Sequence, residues 1–235
     1  MNTVFVRKCF VLICIAACLS VLNIYSQGPQ RRRRASDAER HATAAAKVFN
    51  EIMATPDKSI PKELVDKAEA IAVFPGALKA AFIVGGRKGQ GVVSRRTRRG
   101  WTAPAFFNLG GASFGAQIGG EKTDFVILIM NEDGVRGLLK DKFEIGVEAG
   151  AAAGPVGRTA GAATDARIQA GILSYSRSRG AFIGASLKGN FITPDNDLNE
   201  AYYGKKASEL FAEPEQSVNE APVEVRRFVQ TLSRY

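Results

Sequence analysis

The hydrophobic and polar positions fall into distinct textures along the chain. From Asp37 to Ala54 the sequence is rich in Ala, Glu, Arg and Lys, with Ala44, Val48, Phe49 and Ile52 at helical spacing and Pro56 as the stop, which predicts an amphipathic helix. A second, short helix is predicted over Pro61–Ala68, with proline in its first turn and Leu64, Val65 and Ala68 on one face. Between Gly76 and Gly189 lie 22 of the 24 glycines, a density that suits strands and tight turns rather than long helices. Strands are predicted over 70–74, 80–84, 90–95, 101–108, 113–118, 125–130, 144–149, 170–176 and 181–187. In 113–118, Phe114, Ala116 and Ile118 alternate with Gly115 and Gln117, as a half-buried antiparallel strand requires. Phe125 to Met130 is apolar throughout and reads as a central strand covered on both faces. Three more helices are predicted over 132–140, 199–211 and 223–232. The fold class that follows is α+β: a Gly-rich antiparallel sheet curled into a sandwich or partly closed barrel, with N-terminal and C-terminal helices.

The first 26 residues read as a targeting segment. Arg7 and Lys8 precede an apolar run of 14 residues, Cys9 to Leu22, which suits a signal-peptide core better than a membrane span of about 20. Export to the periplasm or cell envelope is the expectation, with two endings open. Cleavage near Ser26 would leave a peripheral protein. Lipid attachment at Cys18, where Ile15-Ala16-Ala17-Cys18 has the pattern of a bacterial lipobox, would leave an anchored one. Arg31 to Arg34 follow directly, against the tendency for exported flanks to carry few cations, so an uncleaved anchor is the third reading. These arginines begin a basic linker over 27–37 that reads as a solvated segment or an electrostatic arm.

Composition narrows the chemistry. With 235 residues, 46 % hydrophobic and 23 % charged, the chain suits one folded body. His41 is the only histidine, and the cysteines Cys9, Cys14 and Cys18 all lie in the apolar N-terminal run. Imidazole catalysis, a disulfide framework and a zinc site in the body are therefore disfavoured, and no cofactor is expected. Gly111-Ala112-Ser113-Phe114-Gly115 matches the G-x-S-x-G pattern of a hydrolase nucleophile, but residues after Ser113 read as strand and no second histidine is available. A Ser113-dependent hydrolase is the weakest of the functional readings, and the expectation is a protein that is not an enzyme. Gly85-Gly86-Arg87-Lys88-Gly89-Gln90-Gly91 lacks the ending of a P-loop and reads as a turn between strands. Asp195-Asn196-Asp197 opens like a calcium loop, but Glu200 stands where glycine is required, so a helix cap by Asp195 or Asn199 is the better account.

Charge is more informative. The formal net charge is +9. Between Glu69 and Glu121 there is no acidic residue, whereas Lys79, Arg87, Lys88, Arg95, Arg96, Arg98 and Arg99 are all basic. Residues 35–235 carry 26 basic and 23 acidic side chains, so the remainder outside that window is net acidic. Such polarisation favours an anionic partner. A basic hairpin tip at 95–99 beside Trp101 suits a phospholipid surface or a phosphate backbone, and the export segment disfavours nucleic acid.

Several ordered blocks resemble one family. Ala70-Ile71-Ala72-Val73-Phe74-Pro75, Lys79 to Gly86, Gly89-Gln90-Gly91-Val92 and Trp101 to Phe106 are similar to successive blocks of the SYLF domain, a lipid-binding module also described as actin-binding in fungal proteins. Gly115 to Gly120, Thr123 to Asn131, Tyr175 to Gly180 and Ala201-Tyr202-Tyr203-Gly204 continue the likeness in order. It covers 38–211, leaving 212–235 as a C-terminal helical extension. The resemblance implies a binding module, with the 38–54 helix and basic residues in lipid contact, and a free-standing exported copy resembles the bacterial branch. The expected function is binding of anionic phospholipid in the cell envelope through Lys79, Arg87, Lys88, Arg95, Arg96, Arg98 and Arg99, with Trp101 entering the interface. The alternative is a scaffold that binds an acidic protein partner.

Overall fold

The computed structural model describes residues 33–55, 59–147, 149–157, 170–178, 181–212 and 221–235, and within them only the backbone of 79–85 and 112–120. The expected targeting segment with Cys18 and most of the expected basic linker lie outside the described residues. Among these residues are six helices and eight strands, which form a half-barrel with helices at both ends.

Helix α1 covers 33–53 and so begins four residues before the expected Asp37, taking in the last two arginines of the linker. Its buried seam is Ala38, Ala42, Ala45, Phe49 and Ile52, each at most 1 % exposed, whereas Ala44 lies off the seam. Helix α2 (Lys62–Lys67) buries Leu64 and Val65 behind Pro61, as the sequence predicts.

The sheet departs from the predicted row of short strands. The expected strands 70–74, 80–84 and 90–95 are one strand, β1 (Ala70–Thr97), and the expected 101–108, 113–118 and 125–130 fall mostly on one strand, β3 (Ala105–Ile129), which starts four residues late and ends one residue early. They pair antiparallel from Ala70↔Ile129 to Val93↔Ala105. The expected turn at Gly85–Gly91 does not form, because the ladder runs through it. Pro75-Gly76 is likewise no turn but a register shift, with Gly76 at φ +56° and its N–H donating to Asp124 Oδ1 at 2.8 Å.

The glycines instead permit close approach. A Cβ at Gly91 would overlap the Val73 carbonyl oxygen, and one at Gly89 would sit 2.7 Å from Ala77 Cβ. Strand β1 thus folds back over its own beginning, and Arg96 N–H donates to Glu69 O at 2.7 Å where its two ends meet.

After β2 (Gly100–Trp101), which pairs with the end of β1, the remaining strands extend the β3 edge. Strand β6 (Ile172–Ser178) pairs with the far half of β3, and β8 (Asn190–Pro194) with its near half. Strand β4 (Phe143–Glu144) joins β8, β7 (Ala181–Gly184) joins β6, and β5 (Ala151–Ala153) runs parallel to β6. That last pairing departs from an all-antiparallel sheet.

Alternation divides the core in two. Ile71, Val73, Val92, Val126, Leu128 and Leu173 face α1, α2 and the C-terminal helix, whereas Ala72, Phe74, Leu109, Ile127 and Ile129 face the inside of the curl. Phe125 to Ile129 is buried on both faces between β1 and β6, as its unbroken apolar run predicts. Helix α3 (Glu132–Leu138) follows, capped by Asn131. The single helix expected over 199–211 is two, α4 (Asn196–Tyr203) and α5 (Ala207–Ala212), separated at Gly204, whose φ of +70° makes it a left-handed cap. Helix α6 (Val223–Leu232) buries Val225, Phe228, Val229 and Leu232 in the same cluster as α1, and Tyr235 Oη donates to Asn50 Oδ1 at 3.0 Å.

Two polar devices fasten helices to the sheet. Asp195 caps α4 through Leu198 N–H, while fully buried Asn199 accepts from Phe106 N–H at 2.8 Å and donates to Phe106 O at 3.0 Å. Arg177 donates to Asp124 Oδ2 at 2.7 Å and to Glu51 Oε2 at 2.6 Å, tying β6 and β3 to α1. His41 occupies a small polar cavity of about 220 Å³ with Arg34, Asp37, Gln90, Asp195 and Asp197. Burial lowers its pKa below 6.5, Arg40 acts the same way, and Asp37, Asp195 and a hydrogen bond to Gln90 oppose them.

Two outcomes follow from this packing. Gly91→Ala should destabilise the fold by about 2 kcal/mol or more in urea unfolding, because the Val73 backbone cannot move aside, whereas Gly86→Ala, whose nearest atom is 4.0 Å away, should stay within about 0.5 kcal/mol. Equal effects would mean that the fold-back does not set the glycine requirement. For His41 the folded pKa lies below the unfolded one, so its contribution is complete above about pH 6.5 and declines as pH falls through that value. The stability of the unsubstituted chain relative to His41→Gln should therefore drop between about pH 7.5 and pH 5, and parallel pH curves would refute the assignment.

Candidate functional site

The basic cluster forms where β1 ends and turns into β2. The turn is tight because Gly100 adopts φ +119°, Thr97 Oγ1 donates to Gly100 O at 3.0 Å and Arg99 N–H donates to Thr97 Oγ1 at 3.2 Å. Arg98 and Arg99 are exposed at its tip. Beside it opens a pocket of about 810 Å³ lined by Glu69, Arg95 to Arg99, Phe211 and Ala212. The closing of β1 on itself brings Glu69 there, and α5 supplies the opposite wall.

The arginines of this cluster differ in what they already hold. Arg96 lies 4.1 Å over the Trp101 ring and donates to Ala68 O at 3.0 Å and Val65 O at 2.8 Å, so it satisfies carbonyls at the end of α2. Trp101 beneath it is 5 % exposed. The expected insertion of Trp101 into a membrane is therefore not available in this conformation, because the indole is a core residue with a guanidinium as its lid. Arg95 donates from Nη2 to both Glu132 carboxylate oxygens, at 2.9 and 3.1 Å, and from Nη1 to Phe211 O at 3.1 Å.

The other expected cations stand apart. Arg87 is half-buried, 4.9 Å from the Phe125 ring centre, and donates to Asn190 Oδ1 at 3.0 Å. Lys88 is exposed next to it, seven residues and about 23 Å of strand rise before Arg95. The Lys79 side chain lies outside the described residues, although its backbone pairs with Glu121. The six cations with described side chains thus divide into a cluster of four at 95–99 and a pair at 87–88. Sequence reasoning missed Glu69 and Phe211 as lining residues of the site and Glu132 as the partner of Arg95. Long-range pairing alone brings them to it, and no spacing signal marks them.

The chemical motifs resolve as structural. Ser113 pairs with Gly85 in mid-ladder with strand on both sides, not at a strand-to-helix turn. His41 bonds to Gln90, five positions along β1 from that pair. Among the described residues no group of three His, Cys, Asp or Glu side chains could hold a metal ion. No described helix is long and apolar enough to cross a membrane.

Comparison with known proteins agrees with this picture. The family described as "Ysc84: Las17-binding protein actin regulator" matches residues 110–235. The LAS seventeen-binding protein 3 of Saccharomyces cerevisiae is 35 % identical over 152 residues, covering 63 % of this chain and 33 % of its own. Protein YSC84 of the same yeast is 35 % identical over 152 residues, covering 63 % and 32 %. The SH3 domain-containing YSC84-like protein 1 of Xenopus laevis is 33 % identical over 177 residues, covering 72 % and 52 %. The chain thus spans about a third of the yeast relatives and half of the vertebrate one. With more than half of its length matched by that family, and with the sequence blocks noted above in their order, the chain belongs to the Ysc84 family, the family of the SYLF domain.

Proposed function

We propose that this domain is a non-enzymatic binding module for anionic phospholipid surfaces, docking through the arginine-lined pocket at the β1–β2 turn. The observation that carries the proposal is the exposure of Arg98 and Arg99 at the rim of a pocket whose lining includes five consecutive residues, four of them arginine. Each cation near an anionic membrane contributes about 1 kcal/mol, so a handful holds a protein reversibly. The contact is Coulombic rather than insertive, because the apolar seam of α1 and the Trp101 ring are both committed to the core. The proposed setting is the cell envelope, reached through the 1–26 segment, where a lipid on Cys18 would supply a second attachment. The yeast relatives, named as binding proteins, favour a second reading, in which the same basic face binds an acidic protein.

Co-sedimentation of the full chain with 3:1 phosphatidylcholine:phosphatidylglycerol vesicles, against phosphatidylcholine alone as background, tests the proposal. Arg98→Ala/Arg99→Ala should weaken the anionic-specific binding about tenfold, 0.5 M salt should abolish most of it, and Lys88→Ala should leave it within about twofold. Absence of anionic-specific binding at low salt would overturn the membrane reading and leave the protein-partner reading in its place.

A further inference from the structure

The pocket already contains an anion of its own. That anion is Glu69 in its lining; a second, Glu132, stands outside the lining and places both carboxylate oxygens on Nη2 of the lining residue Arg95, at 2.9 and 3.1 Å. We infer that Glu132 is an internal competitor: a phosphate group entering the pocket displaces its carboxylate from Arg95 and takes the vacated guanidinium face. This inference rests on the pocket binding anions, and it adds which side chain sets the affinity.

Three observations support exchange rather than a permanent clamp. The pair is accessible to water, with the Arg95 side chain 28 % and the Glu132 side chain 46 % exposed. Solvent-exposed ion pairs are weakly held, so a better-placed anion replaces one readily. Arg95 also stays in place when Glu132 leaves. Its Nη1 is held by Phe211 O at 3.1 Å, its N–H by Thr102 Oγ1 at 3.0 Å, and its carbonyl accepts from Thr102 N–H at 2.8 Å. The guanidinium is therefore a preset donor, whichever anion faces it. A phosphodiester headgroup matches a carboxylate in charge and free oxygens and inorganic phosphate exceeds it in both, and Arg98 and Arg99 stand on the same rim to add contacts that Glu132 does not make. A lipid headgroup and free phosphate share this chemistry.

The adjacent acid provides the control. Asp133 pairs with Arg136 within α3 and does not touch Arg95, so Asp133→Asn removes the same charge one residue away. In the full chain, Glu132→Gln should tighten binding to 3:1 phosphatidylcholine:phosphatidylglycerol vesicles about two- to fivefold. Asp133→Asn should leave it nearly unchanged, and adding Arg95→Ala to Glu132→Gln should remove the gain. Calorimetric titration with inorganic phosphate forms the second arm: tightening there as well assigns the site to phosphate in general, and tightening on vesicles alone assigns it to the headgroup. Equal shifts for Glu132→Gln and Asp133→Asn would reduce the effect to bulk charge and overturn the inference while leaving the binding reading intact. Weaker binding by Glu132→Gln with a lowered melting temperature would make Glu132 a structural clamp, also overturning it. If the unsubstituted chain binds neither vesicles nor phosphate, the binding reading fails and the inference falls with it.

Discussion

A strand of 28 residues would run about 90 Å if it stayed straight, whereas a compact chain of this length has a radius of gyration of about 17 Å. Strand β1 must therefore turn back within the domain, and the way it does so fixes the position of everything else. It curls with β3 paired along it, so the curl is a bend of a two-stranded ribbon rather than a break in a ladder. Where the ribbon crosses itself, Gly91 and Gly89 stand over Val73 and Ala77, and the Arg96–Glu69 backbone bond closes the loop. Because that closure sits at the two ends of β1, the β1–β2 turn emerges beside the end of α2 and against α3 and α5. The arginine pocket is a product of the curl.

The same geometry explains which parts of the sequence were legible. Apolar runs that are buried on both faces, such as Phe125 to Ile129, announce themselves, and so do helices bounded by prolines. Glycine is ambiguous: it signals a turn or a close approach, and only the second partner, far away in sequence, decides which. Gly85 to Gly91 reads as a turn because Val73 and Ala77 are not its sequence neighbours. The Asn190–Pro194 strand goes unread for a related reason, since it is short and draws its pairing from Gly111 and Phe107, some eighty residues earlier. Helix α1 shows the opposite failure. Its amphipathicity is plain in the sequence, but periodicity does not say whether the apolar seam meets lipid or the protein's own sheet, and here the sheet takes it.

Charge was legible as an amount and not as an arrangement. The seven cations between Glu69 and Glu121 form a single window in sequence, but folding assigns them different tasks. Arg96 caps α2 and covers Trp101, and Arg87 bonds to Asn190, so their charges are largely spent on local structure. Arg98 and Arg99 stand exposed in the two-residue turn. Cations that stabilise the fold must be desolvated and partnered, while cations that attract a surface must stay hydrated and exposed. The run from 95 to 99 separates the two roles by place, with Arg95 and Arg96 half-buried at the end of the strand and Arg98 and Arg99 exposed in the turn that follows.

Arg95 stands between those roles, and its position shows why the proposed binding site lies at this corner. Holding the Phe211 carbonyl requires one edge of its guanidinium, leaving Nη2 to face an anion. In the free protein that anion is Glu132, brought there because α3 follows directly from the end of β3, which is paired with the start of β1. The ladder that closes the domain therefore also delivers the acid to the base. Fold closure and occupancy of the pocket are linked through the chain itself: an anion that takes Arg95 leaves both the ladder and the Phe211 contact in place. What it exchanges is a carboxylate that water already reaches.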